Sequence, residues 1–176
     1  MFSKDFSGKD FNAMPMFETQ WAVAAAGTAG DFDGCTISWG SFGNLWGMPG
    51  KGCAMATIYV NPLRCTSDYL LKNGVFTISF FDGSHKKDLG ILGSKSKRDC
   101  DKFAQTSLSA RQRDTEHGSA IVFDEAVLTL VCRKVYHEQF NAQNMDKAIH
   151  KEFYEDFDQP PHYQFIGEIV EVIDKR

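Results

Sequence analysis

Short apolar segments that end at turn residues recur along this chain and restrict its fold more than any other feature. The clearest is Val75–Phe81, whose sequence VFTISFF is β-branched and aromatic and stops at Asp82-Gly83. Such residues favour strands, whereas glycine, asparagine, aspartate and proline mark turns. We predict further strands at Trp21–Ala26, Cys35–Trp39, Cys53–Val60, Ala120–Phe123, Val127–Val135 and His162–Ile173.

Short helices are predicted between some of these strands. Thr66 is placed to cap a helix over Ser67–Lys72, which Asn73-Gly74 would end. Because strands and helices do not alternate strictly, the pattern favours a mainly β fold with short helices, an antiparallel barrel or sandwich, over a doubly wound fold. The other predicted helices are His85–Leu92, Lys97–Thr106 and Asn144–Tyr154.

The last strand, His162–Ile173, alternates in side-chain character. Successive side chains of a strand point to opposite faces of its sheet. We therefore predict Ile169 and Glu171 on one face of this strand and Val170 and Val172 on the other.

The composition is that of one ordinary globular domain, which we predict over residues 1–176. The net charge of −4 disfavours nucleic-acid binding, which needs a basic surface. The five cysteines are widely spaced and form no C-x-x-C pair, so we predict reduced thiols and no metal site. Apolar stretches are too short to cross a bilayer and the N-terminus lacks a signal-peptide core, so we expect a cytoplasmic protein without membrane contact.

Charge is concentrated in one segment, His85–Lys102, which carries +3 while the rest of the chain carries −7. Within it, Ser94, Lys95 and Ser96 precede the predicted helix over Lys97–Thr106, with Ser96 as its cap. Free N–H groups and the helix dipole, together with the nearby Lys95 and Arg98, make such a helix start an anion site.

A second helix start has the same chemistry. At residues 61–66 a strand ends, Arg64 follows, and Thr66 is placed to cap a helix. For each of the two stretches the alternative is a surface helix cap with solvated charges. Two such starts in one acidic chain favour a phosphate ligand.

A third stretch could receive a flat ligand. Thr36, Ile37, Ser38, Trp39, Gly40 and Ser41 are small or hydroxylated apart from one Ile and one Trp, which leaves strand backbone accessible, and glycine permits close approach. The alternative is an ordinary strand whose Trp39 packs in the core.

Several catalytic motifs are absent from the sequence. The glycine-rich residues 40–52 fit neither a phosphate-binding P-loop nor a dinucleotide fingerprint. The sequence also lacks H-E-x-x-H and G-x-S-x-G, and its five histidines are scattered. Hydrolase and metalloenzyme functions are therefore disfavoured.

Four ordered motifs resemble the flavin reductase-like family, which includes flavoredoxins. They are FDGCTISWGSFGNLWGMPG, VNPLRCTSDYLLKNGVFTISFF, LGILGSKSKRDCDKF and HYQFIGEIVEV. The resemblance spans about Trp21 to Val172 and implies a homodimer of Greek-key, FMN-binding split β-barrels, with FMN near the subunit interface. One departure is Asp33-Gly34, where family members often have Asn-Thr or Asn-Ala.

The resemblance also implies roles for individual residues. The Thr36–Ser41 stretch would line the isoalloxazine of FMN. His162 would face the flavin or a nicotinamide, the alternative being a surface histidine at a strand end. The phosphate of FMN would be held by Arg64, Thr66, Ser94, Lys95 and Ser96.

The expected function is that of an FMN-dependent oxidoreductase. NADH or NADPH would reduce the flavin, which would pass electrons to free flavin, a metal ion, another protein or a small organic acceptor. One alternative is a flavoredoxin-like electron carrier reduced by a partner protein. Another is a split-barrel module that binds a different phosphate ligand.

Overall fold

The computed structural model describes residues 11–176, so most of the N-terminal segment for which we predict no signal peptide lies outside it. Nine strands are present among these residues: β1 (Ala22–Thr28), β2 (Asp31–Ile37), β3 (Gly40–Asn44), β4 (Ala54–Val60), β5 (Val75–Phe80), β6 (Ala110–Thr115), β7 (Gly118–Phe123), β8 (Leu128–Gln139) and β9 (Tyr163–Asp174). The α-helical segments in this part of the chain are α1 (Ala13–Pro15), α2 (Cys65–Lys72), α3 (Lys86–Ser94) and α4 (Lys147–His150).

Seven strands form one antiparallel sheet in the order β2-β1-β5-β8-β9-β4-β3, and β6 and β7 form a separate hairpin. The sheet curls, because buried side chains from β1, β2, β4, β5, β8 and β9 meet in one apolar cluster, the main core. The β6–β7 hairpin packs against β1 and β5. There Thr77 Oγ1 donates a hydrogen bond to the Ile121 carbonyl oxygen at 2.6 Å. The prediction of a mainly β fold with short helices is confirmed.

Strand β1 is buried on both faces and thereby fixes the position of α3. Ala22, Ala24 and Ala26 contact the main core, whereas Val23 and Ala25 face a second cluster that includes Leu89 of α3. Small side chains on β1 leave room for the phenylalanines of the neighbouring strands. Helix α3 consequently lies over β1 and β2, and Thr36 Oγ1 donates a hydrogen bond to the Leu89 carbonyl oxygen at 2.6 Å.

A β-bulge in β9 reverses the predicted alternation. Val131 pairs with Glu171 and Cys132 pairs with Ile169, so Val170 is an extra residue between them. Beyond a bulge, side chains change face. Ile169 and Val172 therefore contact the main core, and the prediction that Ile169 shares a face with Glu171 is wrong.

Other predicted elements also differ from the structure. Residues 97–106 form turns and one 3-10 turn, Phe103–Gln105, so the predicted helix there is wrong. The helix predicted at Asn144–Tyr154 begins only at Lys147 and ends in a π-helical turn, Lys151–Glu155. Strands β3 and β6 were not predicted, because one contains two glycines and the other is almost entirely polar. No helix within residues 11–176 is long and apolar enough to cross a membrane.

Candidate functional site

Six predicted site residues line one cleft of about 390 Å³, which we call the Arg64 cleft. This volume is within the range of small-molecule sites. The predicted residues in its wall are Thr36, Ile37, Ser38, Trp39, Arg64 and His162. The other lining residues are Cys35, Tyr59, Val60, Asn61, Leu63 and Gln159. The cleft lies along β2, which is an edge strand of the sheet and pairs only with β1 among the described strands. Edge strands leave backbone N–H and C=O groups available for a ligand.

Arg64 supplies a positive charge to this cleft. It is the residue before α2, in the N-cap position, and a turn holds it there through a 2.9 Å hydrogen bond from its N–H to the Asn61 carbonyl oxygen. Its side chain is partly exposed and forms no ion pair or hydrogen bond with residues 11–176. The N-terminus of a helix adds partial positive charge at the same place. This end of the cleft suits an anion.

Thr66 does not cap α2, because the helix begins at Cys65, two residues before the predicted start. Its hydroxyl is fully buried and donates to Asp33 Oδ2 at 2.7 Å. The Thr66 hydroxyl is therefore already hydrogen-bonded to Asp33. The backbone N–H of Thr66 is the group that could still bind a phosphate. That role for Thr66 stays a prediction.

The stretch Ser94–Ser96 follows a helix end rather than preceding a helix start, so that prediction is wrong. Ser94 is the last residue of α3 and its hydroxyl donates to the Gly90 carbonyl oxygen at 2.8 Å. Ser96 Oγ accepts a hydrogen bond from the Arg98 N–H at 3.2 Å and so begins a turn. Polar side chains that bond to nearby backbone compete with helix formation. A helix C-terminus carries partial negative charge and does not by itself bind anions.

Ser94, Lys95 and Ser96 nevertheless lie near the cleft. A Cβ added to Gly93 would be 3.4 Å from the Thr36 Cβ, so the end of α3 contacts the strand that forms the cleft wall. Lys95 Nζ donates to the side-chain oxygen of Gln105. None of the three lines the Arg64 cleft. Their role in holding a phosphate stays a prediction.

Three cations of the basic segment are used to dock it against the rest of the fold. Lys97 Nζ lies 2.8 Å from Asp31 Oδ1, and Arg98 contacts Asp68 at 2.7 Å. The third, Lys102 Nζ, lies 2.9 Å from Asp33 Oδ1. The +3 charge inferred from the sequence is therefore largely paired, which leaves Arg64 as the cation in the cleft wall.

Trp39 and His162 form another part of the cleft wall. Their ring centroids are 4.7 Å apart, and the Trp39 ring also meets Phe153 at 5.8 Å. Trp39 is 39% exposed, so it is not the core residue of the alternative interpretation. His162 Nδ1 is buried and has no hydrogen-bond partner within residues 11–176. Buried polar atoms usually find partners, so a group bound in the cleft is a natural candidate for this one.

Gly40 and Ser41 lie outside the Arg64 cleft. A Cβ on Gly40 would come within 2.3 Å of the Phe17 ring, so this glycine makes room for a core side chain. Ser41 is exposed on β3, where it pairs with Thr57. Gly40 does line a neighbouring cavity that also contains Trp39. Ligand contacts by these two residues stay predictions.

Sequence reasoning missed Gln159, which reaches the cleft from the connection between β8 and β9. Asn61 Nδ2 donates to Gln159 Oε1 at 2.7 Å, so this connection is fastened to the cleft rim. No local pattern marks a glutamine for such a role.

The thiols near the cleft are not activated, since burial raises the pKa of both Cys35 and Cys65. In the described part of the chain, no three or more His, Cys, Asp or Glu side chains group as metal ligands.

Comparison with known proteins identifies the family. A model of the flavin reductase like domain matches residues 14–176, which is nearly the whole chain. This chain belongs to the flavin reductase-like family. The resemblance based on four ordered motifs is thereby confirmed. A search of curated proteins gave no match.

Solved structures with the same fold include members named for flavin binding or flavin chemistry. Flavoredoxin from Methanosarcina acetivorans is 21% identical, with a TM-score of 0.65 over 94% of this chain and 74% of its own. An FMN-binding protein from Thermus thermophilus is 20% identical, with a TM-score of 0.63 over 96% of this chain and 80% of its own. An NADH:FAD oxidoreductase from Streptomyces globisporus C-1027 is 17% identical, with a TM-score of 0.58 over 89% and 74% of the two chains. These likenesses establish a flavin reductase-like fold.

The structure accounts for Asp33, the departure from the family pattern. Asp33 is completely buried beneath the cleft, and Lys102, 2% exposed, forms an ion pair with it. A buried carboxylate without a partner would be strongly unfavourable. The aspartate of this flavin reductase-like protein is therefore tolerated because Lys102 and the Thr66 hydroxyl both contact it.

His162 should make stability depend on pH. Burial, with a smaller contribution from the Arg64 charge, lowers the pKa of His162 from 6.5 to about 4. Between those values the unfolded chain binds more protons than the folded one, so the free energy of unfolding should fall as the pH decreases through this window. Chemical denaturation at several pH values should show a steeper fall for the wild type than for His162→Gln. Equal slopes for the two proteins would contradict the pKa assignment.

Proposed function

We propose that the Arg64 cleft binds FMN and that the protein is an FMN-dependent oxidoreductase. The observation that carries this proposal is what the cleft wall brings together: the cation Arg64, which is unpaired among residues 11–176, a strand edge, and Trp39 with the buried His162. Membership of the flavin reductase-like family supports it. The fold is also shared with a flavoredoxin and with an FMN-binding protein, which further supports the proposal.

The residues of the cleft fit the chemical parts of FMN. Arg64 would bind the phosphate, since guanidinium groups form charge-assisted, bidentate hydrogen bonds with phosphate oxygens. The hydroxyl of Ser38 and the edge backbone of residues 36–39 offer polar groups to a heteroaromatic ring system, and Trp39 offers an aromatic surface. Bound FMN would supply the hydride- and electron-transfer chemistry.

His162 would act as a neutral group in this site. Because its pKa is lowered to about 4, the imidazole carries no charge near neutral pH. Its buried Nδ1 can accept or donate one hydrogen bond, according to the tautomer. We therefore assign His162 the task of orienting a bound ring without adding charge. The Tyr154 side chain, 3% exposed, packs against the imidazole with 5.7 Å between ring centroids and limits its movement.

We propose NADH or NADPH as the source of electrons and a small molecule or a redox protein as their acceptor. An electron carrier of the flavoredoxin type is the second candidate, because residues 141–161 next to the cleft contain five carboxylates and only two lysines. This negative charge opposes the approach of a dinucleotide, whose phosphates are also negative.

We also propose that the working unit is a homodimer. Three large apolar side chains after β3 are exposed and would be covered by a second copy of the chain: Leu45, Trp46 and Met48, which are 40%, 62% and 70% exposed.

The test is the visible spectrum of the purified protein, loaded with FMN, during anaerobic addition of each nicotinamide. We expect a yellow protein that takes up FMN and whose flavin absorbance bleaches with NADH or NADPH. Flavin that stays oxidised until a reduced redox protein is added would favour the electron carrier. A colourless protein that does not bind FMN would overturn the proposal and favour a module for another phosphate ligand.

A further inference from the structure

A second cavity, of about 660 Å³, lies on the other side of Trp39 from the Arg64 cleft; we call it the insertion cavity. It is bounded by the end of β8, the start of β9 and the connection between them, residues 141–161. Trp39 belongs to the walls of both cavities. The insertion cavity contains neither Arg64 nor His162 and so is not part of the proposed flavin site.

The cavity walls are largely apolar and remain uncovered. Ile149 and Phe153 of the connection are 47% and 39% exposed, and both line the cavity together with Trp39. Met145 and Phe140 complete the apolar surface. Aromatic and aliphatic side chains that converge on a concave surface are typical of sites for flat organic ligands.

The polar groups of the insertion cavity determine which ligand charge it would favour. Its amides, Gln139, Asn141, Asn144 and Gln164, are uncharged. Its two ionisable charges are the carboxylates of Glu138 and Asp146, and no lysine or arginine of the described chain lines it. Carboxylates beside aromatic rings attract cations and repel anions.

The connection that bounds the insertion cavity is fastened at several points. Gln139 Nε2 donates to the Pro161 carbonyl oxygen at 2.9 Å, which holds the two ends of the connection together. Asp146 Oδ1 accepts hydrogen bonds from the N–H groups of Ala148 and Ile149 at 2.9 and 3.2 Å and so fixes the start of α4. A preformed site spares a ligand the cost of ordering the chain.

We propose that the insertion cavity is a binding site for a flat aromatic compound that is uncharged or cationic. The apolar walls would take the ring, and the side-chain amides of Asn144 and Gln164 would meet carbonyl, hydroxyl or amino substituents. The carboxylates at positions 138 and 146 would discriminate against anionic aromatics. This site does not require that the neighbouring cleft bind FMN.

The test uses three bicyclic probes of similar size and different charge: 2-naphthol, the N-methylquinolinium cation and the naphthalene-2-sulfonate anion. Binding to the full-length protein, as purified and after loading with FMN, is measured by calorimetry. We expect the affinities of the neutral and cationic probes to exceed the affinity of the anion by a factor of about ten or more. Equal affinities for all three, or no binding of any, would overturn the proposal.

Two phenylalanines of the connection provide matched variants. Phe153→Ala removes a cavity wall and should weaken the binding of 2-naphthol and N-methylquinolinium about tenfold. Phe157 is 67% exposed and lies outside the cavity, so Phe157→Ala should leave both affinities unchanged. Equal effects of the two substitutions would place the probes elsewhere and overturn the assignment.

Charge variants test the proposed discrimination. Glu138→Gln combined with Asp146→Asn removes both carboxylates, while asparagine at 146 still caps α4. The preference for the cation over the anion should fall about tenfold in this double variant. An unchanged preference, or displacement of the probes by FMN in direct competition, would overturn the proposal. Failure to bind FMN while the probes still bind would contradict only the flavin proposal.

Discussion

Replacing Lys102 by methionine is expected to lower the free energy of unfolding by about 3–5 kcal/mol, because it leaves the buried carboxylate of Asp33 without its ion-pair partner. The two side chains are 2% and 0% exposed, and Lys102 Nζ lies 2.9 Å from Asp33 Oδ1. Water cannot replace the ammonium group at this depth. Thermal unfolding should show a fall in Tm of about 10 °C.

The exposed pair Arg111–Asp124 is the matched control. Its side chains are 68% and 43% exposed, so Arg111→Met should lower the free energy of unfolding by less than about 1 kcal/mol. Adding Asp33→Asn to Lys102→Met removes the stranded charge and should recover most of the lost stability. A Lys102→Met protein as stable as the Arg111→Met protein would show that the buried pair does not stabilise the fold.

This ion pair also illustrates what the sequence could not predict. Asp33 departs from the family pattern, but no local signal links it to Lys102, which is 69 residues further along the chain. The pairing depends on the packing of residues 95–105 against β2, which is a tertiary property. Arg98, one of the two cations that suggested an anion site in the sequence, likewise pairs with Asp68 and helps to dock this segment.

The strands were the most predictable part of the fold. Val75–Phe80 is β-branched and aromatic and occupies the centre of the sheet, where both faces are buried. Edge strands, bulges and turns were less predictable, because their residues do not follow the alternation of apolar and polar side chains that marks a strand or a helix. The bulge at Val170 has no proline or glycine to mark it. The helix expected after Ser96 failed because hydroxyl and charged side chains there bond to tertiary partners and to local backbone.

The candidate site was predictable in so far as it is built from contiguous residues. Residues 36–39 lie along one strand edge and were recognised together, whereas Gln159 reaches the cleft only through the folding of a long connection. Gly40 shows a further limit of the sequence, because a glycine that admits a ligand and one that admits the Phe17 ring look alike there.

Arg64→Ala is expected to raise the Kd for FMN about 10- to 100-fold, because a hydrogen-bonded charge pair contributes about 1.5–3 kcal/mol. The guanidinium is in the cleft wall and forms no ion pair or hydrogen bond with another described residue, so its loss should not destabilise the fold. Quenching of flavin fluorescence on binding gives the Kd. Arg64→Lys keeps the charge but not the bidentate geometry, so its affinity should be intermediate.

Three further measurements assign that effect to the phosphate. Riboflavin lacks the phosphate, so Arg64→Ala should change its affinity little. Arg111→Ala, which removes an exposed arginine on the β6–β7 hairpin, should leave the Kd for FMN unchanged. Lys95→Ala should weaken FMN binding only if the end of α3 also contacts the phosphate, since Lys95 does not line the cleft. If Arg64→Ala binds FMN as tightly as the wild type, the phosphate does not lie at the start of α2, and a loss confined to Lys95→Ala would move it to the residues after α3.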